Sequence, residues 1–136
     1  TGSLRGFGAT VVKSGNLEAA FTRILDGMES EYVYAPAVFE AVLSWNPEVV
    51  TEATGRDNCT HLIHESLPDG DRCGLLLLDE RVAICCHDGP TGALRAVVDT
   101  DAAAAREWAD SVYRTVRRDA RPVEDPESFL APDRPG

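Results

Sequence analysis

All four cysteines and all three histidines of this 136-residue chain fall between positions 59 and 87: Cys59, His61, His64, Cys73, Cys85, Cys86 and His87. Thiolates and imidazoles are ligands for zinc and copper(I), and seven such side chains exceed the four that close a structural zinc site. Alternation along a strand limits how many can converge. Cys59 and His61 in "NCTHLIHE" share a face while His64 takes the other, and the adjacent Cys85 and Cys86 of "RVAICCHD" point in opposite directions. At most three or four of the seven could converge, for example Cys59, His61, Cys85 and His87 on two neighbouring strands in register.

Two further readings stand beside the metal. Unpaired cysteine commonly fills small apolar slots in buried strands, and the Cys-Cys-His triplet reads first in that way. Thiol redox sensing would join Cys85 or Cys86 to a thiol on another strand, because vicinal cysteines close a strained ring. Nothing nearby lowers a thiol pKa, since Asp79, Glu80 and Asp88 are acidic. The spacings contain no CxxC pair.

A second group of chemically capable residues lies where strands meet helices. In open α/β sheets ligands bind beyond the carboxyl ends of the strands, where chain order reverses. That edge would carry Lys13, Ser14 and Asn16 after the first strand, Tyr34 and Pro36 after the second, and His64 with Glu65 after the third. Backbone N–H groups at a helix start, with the only lysine of the chain, suit an anion or a sugar hydroxyl. Plain turn chemistry and helix capping would use the same residues. His64 and Glu65 could act as an acid/base pair, yet no Ser or Cys nucleophile in a matching context accompanies them, which disfavours an enzyme.

The elements that would position these groups follow from periodicity. "GFGATVV" (6–12) reads as a strand, and Asn16 can cap a helix with apolar residues at Leu17, Ala20, Phe21, Ile24 and Leu25, ending at Gly27. "SEYVYA" reads as a second strand. Pro36 then opens a helix carrying Val38, Phe39, Val42 and Leu43, and Pro47 restarts a further helical stretch to Gly55. "NCTHLIHE" is a third strand; "CGLLLLDE" and "RVAICCHD" form a hairpin about Asp79 and Glu80, and "GALRAVVD" follows as another antiparallel strand. Thr100 or Asp101 can cap a long helix over about 102–120, with Ala104, Ala105, Trp108, Val112, Tyr113 and Val116 as its apolar face. The expected architecture is α/β, with a single mixed β-sheet built from a βαβα half, an antiparallel meander and a long C-terminal helix. Residues 4–122 make the domain, and the proline-rich 123–136 make a tail with Phe129 and Leu130 as its one anchor.

Composition narrows the function. Acidic residues outnumber basic ones 23 to 13, for a net charge of -10, and Lys13 is the sole lysine. Such a surface stays hydrated in high salt and repels phosphate backbones, so direct nucleic-acid contact by this segment is not expected. No apolar run is long enough to span a bilayer and no signal peptide is visible, which places the chain in the cytoplasm with reduced thiols.

The run "GLLLLDERVAICCHDGPTGALRAVVDTDAAAAREWADSVYRTVRRDA" resembles the effector domain that follows the winged helix in archaeal regulators of the methanogenesis-regulatory family, numerous in halophilic archaea. The matching pieces are Leu75 to Asp79, Arg81 to Ile84, Leu94 to Asp99 and Glu107 to Ala109, with "GMESEYVYAPAVFEAVL" and "LRGFGATVV" similar to the family's earlier elements. The resemblance spans roughly residues 4 to 122. It implies a non-enzymatic, ligand-sensing and dimerising effector domain, without a cofactor, that binds a small molecule, forms a homodimer and reaches DNA through a separate winged-helix domain. A more distant similarity is to TrmB-type sugar-sensing domains, whose fold is phospholipase-D-like; the HxK signature of that fold's enzymes does not occur here.

Overall fold

The computed structural model describes residues 3–8, 17–67, 73–87 and 94–126. Three parallel strands, β1 (Ser3–Phe7), β2 (Glu29–Tyr34) and β3 (Cys59–Ile63), lie side by side. Helix α1 (Leu17–Leu25) crosses from β1 to β2, and α2 (Pro36–Trp45) with α3 (Pro47–Thr54) crosses from β2 to β3. Right-handed crossovers that step in one direction leave their helices on one face. The buried cluster of that face accordingly joins Leu17, Phe21 and Ile24 of α1 to Phe39, Val42 and Leu43 of α2 and Val50 and Ala53 of α3, over Tyr32, Tyr34, Cys59 and Ile63.

The second half returns antiparallel. Strand β4 (Cys73–Leu78) pairs with β1, β5 (Val82–His87) with β4, and β6 (Leu94–Thr100) with β5. Helix α4 (Ala103–Arg118) then crosses the opposite face, and β7 (Arg121–Pro122) adds to β3. The result is one mixed seven-stranded sheet in the order β6-β5-β4-β1-β2-β3-β7. Its second core packs Val33, Leu62, Leu75, Leu77 and Val82 against Ala109 and Tyr113 of α4.

Local chemistry explains the boundaries. Gly27 takes φ +111, and its N–H donates to Ile24 O while that of Met28 reaches back to Arg23 O, at 3.0 Å each. This is the paired-bond termination for which glycine is favoured. Pro36 and Pro47 occupy first turns, and Asn46 Oδ1 accepts the Val49 N–H at 3.2 Å, so the α2–α3 break is a stop and a fresh N-cap in a single residue.

Three expectations are corrected. The first strand begins at Ser3 rather than at Gly6 and is described as far as Phe7, with Gly8 following at φ +102; residues 9–16, including the rest of the expected strand and the expected cap Asn16, lie outside the described residues. The apolar face of α4 runs through Ala109, Val112, Tyr113 and Val116, leaving Trp108 53% exposed on its flank and Ala104 in solvent. No side chain caps α4 directly: Thr100 Oγ1 accepts from Ala102 N at 3.1 Å, one residue ahead of the helix. Beyond β7, Val123 is buried and its N–H donates to His61 O at 2.9 Å. The expected anchors Phe129 and Leu130 lie outside the described residues.

Candidate functional site

The sheet order separates the two halves of the cysteine–histidine group. Between β5 and β3 lie β4, β1 and β2. Four interstrand steps of about 4.8 Å put these strands roughly 19 Å apart. Cys59 and His61 therefore cannot share a metal with Cys85 and His87, and among the described residues no group of three or more His, Cys, Asp or Glu side chains could hold an ion. The convergence fails because the meander joins the crossover half at β1, at the far side of that half from β3.

What Cys59 and His61 form instead is part of the core. His61 is 2% exposed, with its ring 5.9 Å from that of Phe21, 5.4 Å from Tyr34 and 5.5 Å from Phe39. Its Nε2 lies 3.4 Å from Cys59 Sγ, and its Nδ1 is buried without a hydrogen-bond partner. Burial in this aromatic box lowers the imidazole pKa to about 4 and pushes the Cys59 thiol up to about 12. Neither is poised for acid/base or nucleophilic work at neutral pH. Cys85 is likewise buried, and Cys86 is half-buried at the opposite face.

The carboxyl edge of the parallel strands is assembled by backbone bonds. The N–H of His64 donates to Tyr34 O at 2.9 Å, which sets the residues leaving β3 beside the residue that ends β2. Pro36 begins α2 two residues later. The Ser66 N–H donates to His64 Nδ1 at 3.1 Å, so the neutral ring carries its proton on Nε2 and offers a donor there. Glu65 pairs through Oε1 with Arg121 of β7 at 2.9 Å, both largely exposed. Tyr34 differs from the expectation in orientation: its ring packs with Tyr32, Phe39 and His61, and burial holds its hydroxyl pKa well above the usual tyrosine value. Lys13, Ser14 and Asn16 lie outside the described residues. The structure thus brings Tyr34, Pro36, His64 and Glu65 to one edge, with Tyr34 as the edge's apolar floor.

Sequence reasoning missed Arg121, the cationic partner at this edge, because the residues after the long helix carry no strand periodicity. It also missed a cleft of 380 Å³ between the start of α4 and the β4–β5 turn, walled by Arg5, Leu77, Asp79, Arg106, Glu107 and Asp110. The signal available was the charged Arg5 in a strand whose antiparallel neighbour is the apolar β4.

The described residues form a mixed sheet with three crossover helices on one face and a single helix on the other. The family model of the middle domain of methanogenesis regulatory protein FilR1 matches residues 1–119. The chain belongs to that family of regulatory domains. No curated protein matches it in a sequence comparison. No described helix is long and apolar enough to cross a membrane.

Proposed function

We propose that residues 4–122 are a ligand-sensing and dimerising effector domain of an archaeal winged-helix transcription regulator, acting without catalysis and reaching DNA through a separate winged-helix module. The observation that carries this reading is the family match over residues 1–119. A small anionic or hydroxyl-rich ligand sits at the carboxyl edge, held by Lys13, Ser14, Asn16, Tyr34, Pro36, His64 and Glu65. The His64–Tyr34 backbone bond supports it by converging the exits of β2 and β3. The composition supports a halophilic, cytoplasmic setting, and kinship with TrmB-type sensors remains part of the same proposal.

A homodimer is the expected assembly. It is supported by the edge position of β6 and by Val98 and Trp108, which are 59% and 53% exposed. Effector binding would then shift the balance between two arrangements of the dimer.

Thermal-shift screening against sugars, organic acids and nucleotides tests the ligand, since binding to the folded state alone must raise Tm. A compound whose shift disappears in both His64→Ala and Glu65→Ala, with the unliganded Tm of each retained, supports the site. A shift unaltered in both variants moves the ligand elsewhere.

A further inference from the structure

Glu18, Phe21, Thr22 and Leu25 recur at the three- and four-residue spacings of one face of α1. Opposite them, the break between α2 and α3 presents Trp45, the last residue of α2, and Val49 of the first turn of α3. These side chains wall a cavity of 340 Å³. The rise of α2 puts Trp45 about 14 Å from Pro36, so the cavity is separate from the carboxyl edge.

The wall restricts what fits. Trp45 is 40% exposed, whereas the rings of Phe21, Tyr32, Tyr34, Phe39 and Tyr113 are buried. Its indole is backed by the Phe21 ring, 5.8 Å away at 33°, which fixes the platform from behind. Leu25 and Val49 are half-buried and add apolar surface. Glu18 is exposed at the rim and makes no ion pair among the described residues, and no lysine, arginine or histidine lines the cavity. An occupant therefore meets an indole face, apolar carbons and an unpaired carboxylate, in a chain of net charge -10.

We propose that this cavity binds an organic ammonium ion, with the cationic head over the Trp45 ring and in reach of Glu18, and its alkyl groups on Leu25 and Val49. The face of an aromatic ring is the negative part of its quadrupole, and indole is the strongest side-chain platform for a cation. An alkylated ammonium also carries apolar surface to bury on the same wall. Other classes fit less well. An anion meets only like charge, and a metal ion finds a single carboxylate where a site of several oxygens is needed.

The test titrates the full chain with choline at constant ionic strength and follows the two indole N–H resonances by NMR. Trp45 should shift saturably, while Trp108, on α4 at the opposite face of the sheet, should stay in place. The uncharged isostere 3,3-dimethylbutan-1-ol should bind about fivefold more weakly than choline, since it lacks the charge that the indole face attracts. Glu18→Gln should weaken choline about threefold and leave the isostere unchanged, as expected for an exposed ion pair. Trp45→Leu should abolish the preference for choline over the isostere, read by calorimetry. Equal affinity for the two probes, a Trp45 resonance that does not move, a Trp108 resonance that moves in step with it, or a response to glucose in place of choline overturns the proposal. The comparison of probes on wild-type protein decides even if Trp45→Leu fails to fold. The carboxyl-edge reading is tested at His64 and Glu65, so the two readings fail separately.

Discussion

The Tyr113 hydroxyl donates to Glu31 Oε1 at 2.5 Å, joining the last helix to the second strand across 82 residues of sequence. Arg117 Nε donates to the same oxygen at 2.8 Å. Arg5 of β1 completes the group, with its guanidinium 5.4 Å from the centre of the Tyr113 ring and its NH1 2.9 Å from Asp110. These contacts fix α4 to β1 and β2, the strands of the crossover half, while its apolar stripe rests on β4 and β5. Strand β2 therefore carries the helix clamp at Glu31 on one face and the floor of the candidate ligand edge at Tyr34 on the other. A displacement of β2 would be felt by α4 through this ion pair and phenol and through Val33, which shares a core with Ala109 and Tyr113.

Glu31→Ala should destabilise the domain by about 1–3 kcal/mol, because it leaves the buried Tyr113 hydroxyl only the long 3.4 Å bond to the residue-31 carbonyl and removes the partner of Arg117. The pH dependence has a defined sign. Burial raises the Glu31 pKa, but the hydrogen bonds from Arg117 and Tyr113 and the charges of Arg117 and Arg5 together outweigh it and leave the carboxyl below its ordinary value. A depressed carboxyl contributes stability that is present above its unfolded pKa and lost as pH falls through the folded one. Tm measured from pH 5 downward should fall more steeply for wild type than for Glu31→Gln.

His61 governs a different window. Its folded pKa, lowered by burial from 6.5 to about 4, means that the unfolded chain binds a proton that the folded chain does not. Stability should be constant in this respect above pH 6.5 and decline between 6.5 and 4, with a slope of at most about 1.4 kcal/mol per pH unit. His61→Phe removes both the titration and the unpartnered Nδ1 while keeping an aromatic ring between Phe21, Tyr34 and Phe39. The variant should be at least as stable as wild type at pH 5 by urea titration, with that slope abolished.

Much of the architecture is written in local patterns. Leu17, Phe21 and Ile24 mark α1, Gly27 ends it, and the prolines at 36 and 47 start α2 and α3 where the periodicity implies. What the chain does not reveal locally is strand order. The metal reading required β3 and β5 to be neighbours, and only the long-range pairing of β4 with β1 separates them. Trp108 misled for a related reason: four residues ahead of Val112, it fits a broad apolar face, but the stripe that meets the sheet is narrower and centres on Ala109 and Tyr113. At the candidate edge, Tyr34, Pro36, His64 and Glu65 were legible as strand exits. Arg121 was not, since a two-residue strand containing Pro122 carries no alternation to detect.

The Cys59 thiol should resist modification in the folded state. Burial raises its pKa to about 12, so the thiolate fraction at pH 8 is negligible, and the surrounding core blocks reagents. With Cys73, Cys85 and Cys86 replaced by serine, the remaining thiol should react with an aromatic disulfide reagent only as denaturant unfolds the chain. Rapid labelling in native buffer would show that the His61 box opens below the global unfolding transition.

Gly6 and Gly27 should answer to alanine in different amounts, because glycine is required at each for a different reason. At Gly6 a Cβ would run into the backbone carbonyl of Leu75 and lie 3.2 Å from the Tyr32 ring, whose hydroxyl donates to Gly8 O at 2.9 Å and cannot swing aside without losing that bond. Backbone cannot yield as a flexible side chain does, so Gly6→Ala should cost about 3 kcal/mol, the upper end of overpacking penalties. At Gly27 nothing lies within 4 Å of the added carbon, and the cost is that of holding a non-glycine residue at φ +111, about 1–2 kcal/mol. Urea titrations should give Gly6→Ala the lower midpoint of the two, with equal m-values if both variants remain two-state. The reverse ranking would place the Tyr32 ring away from β1 and break the close approach on which the junction of crossover half and meander is built.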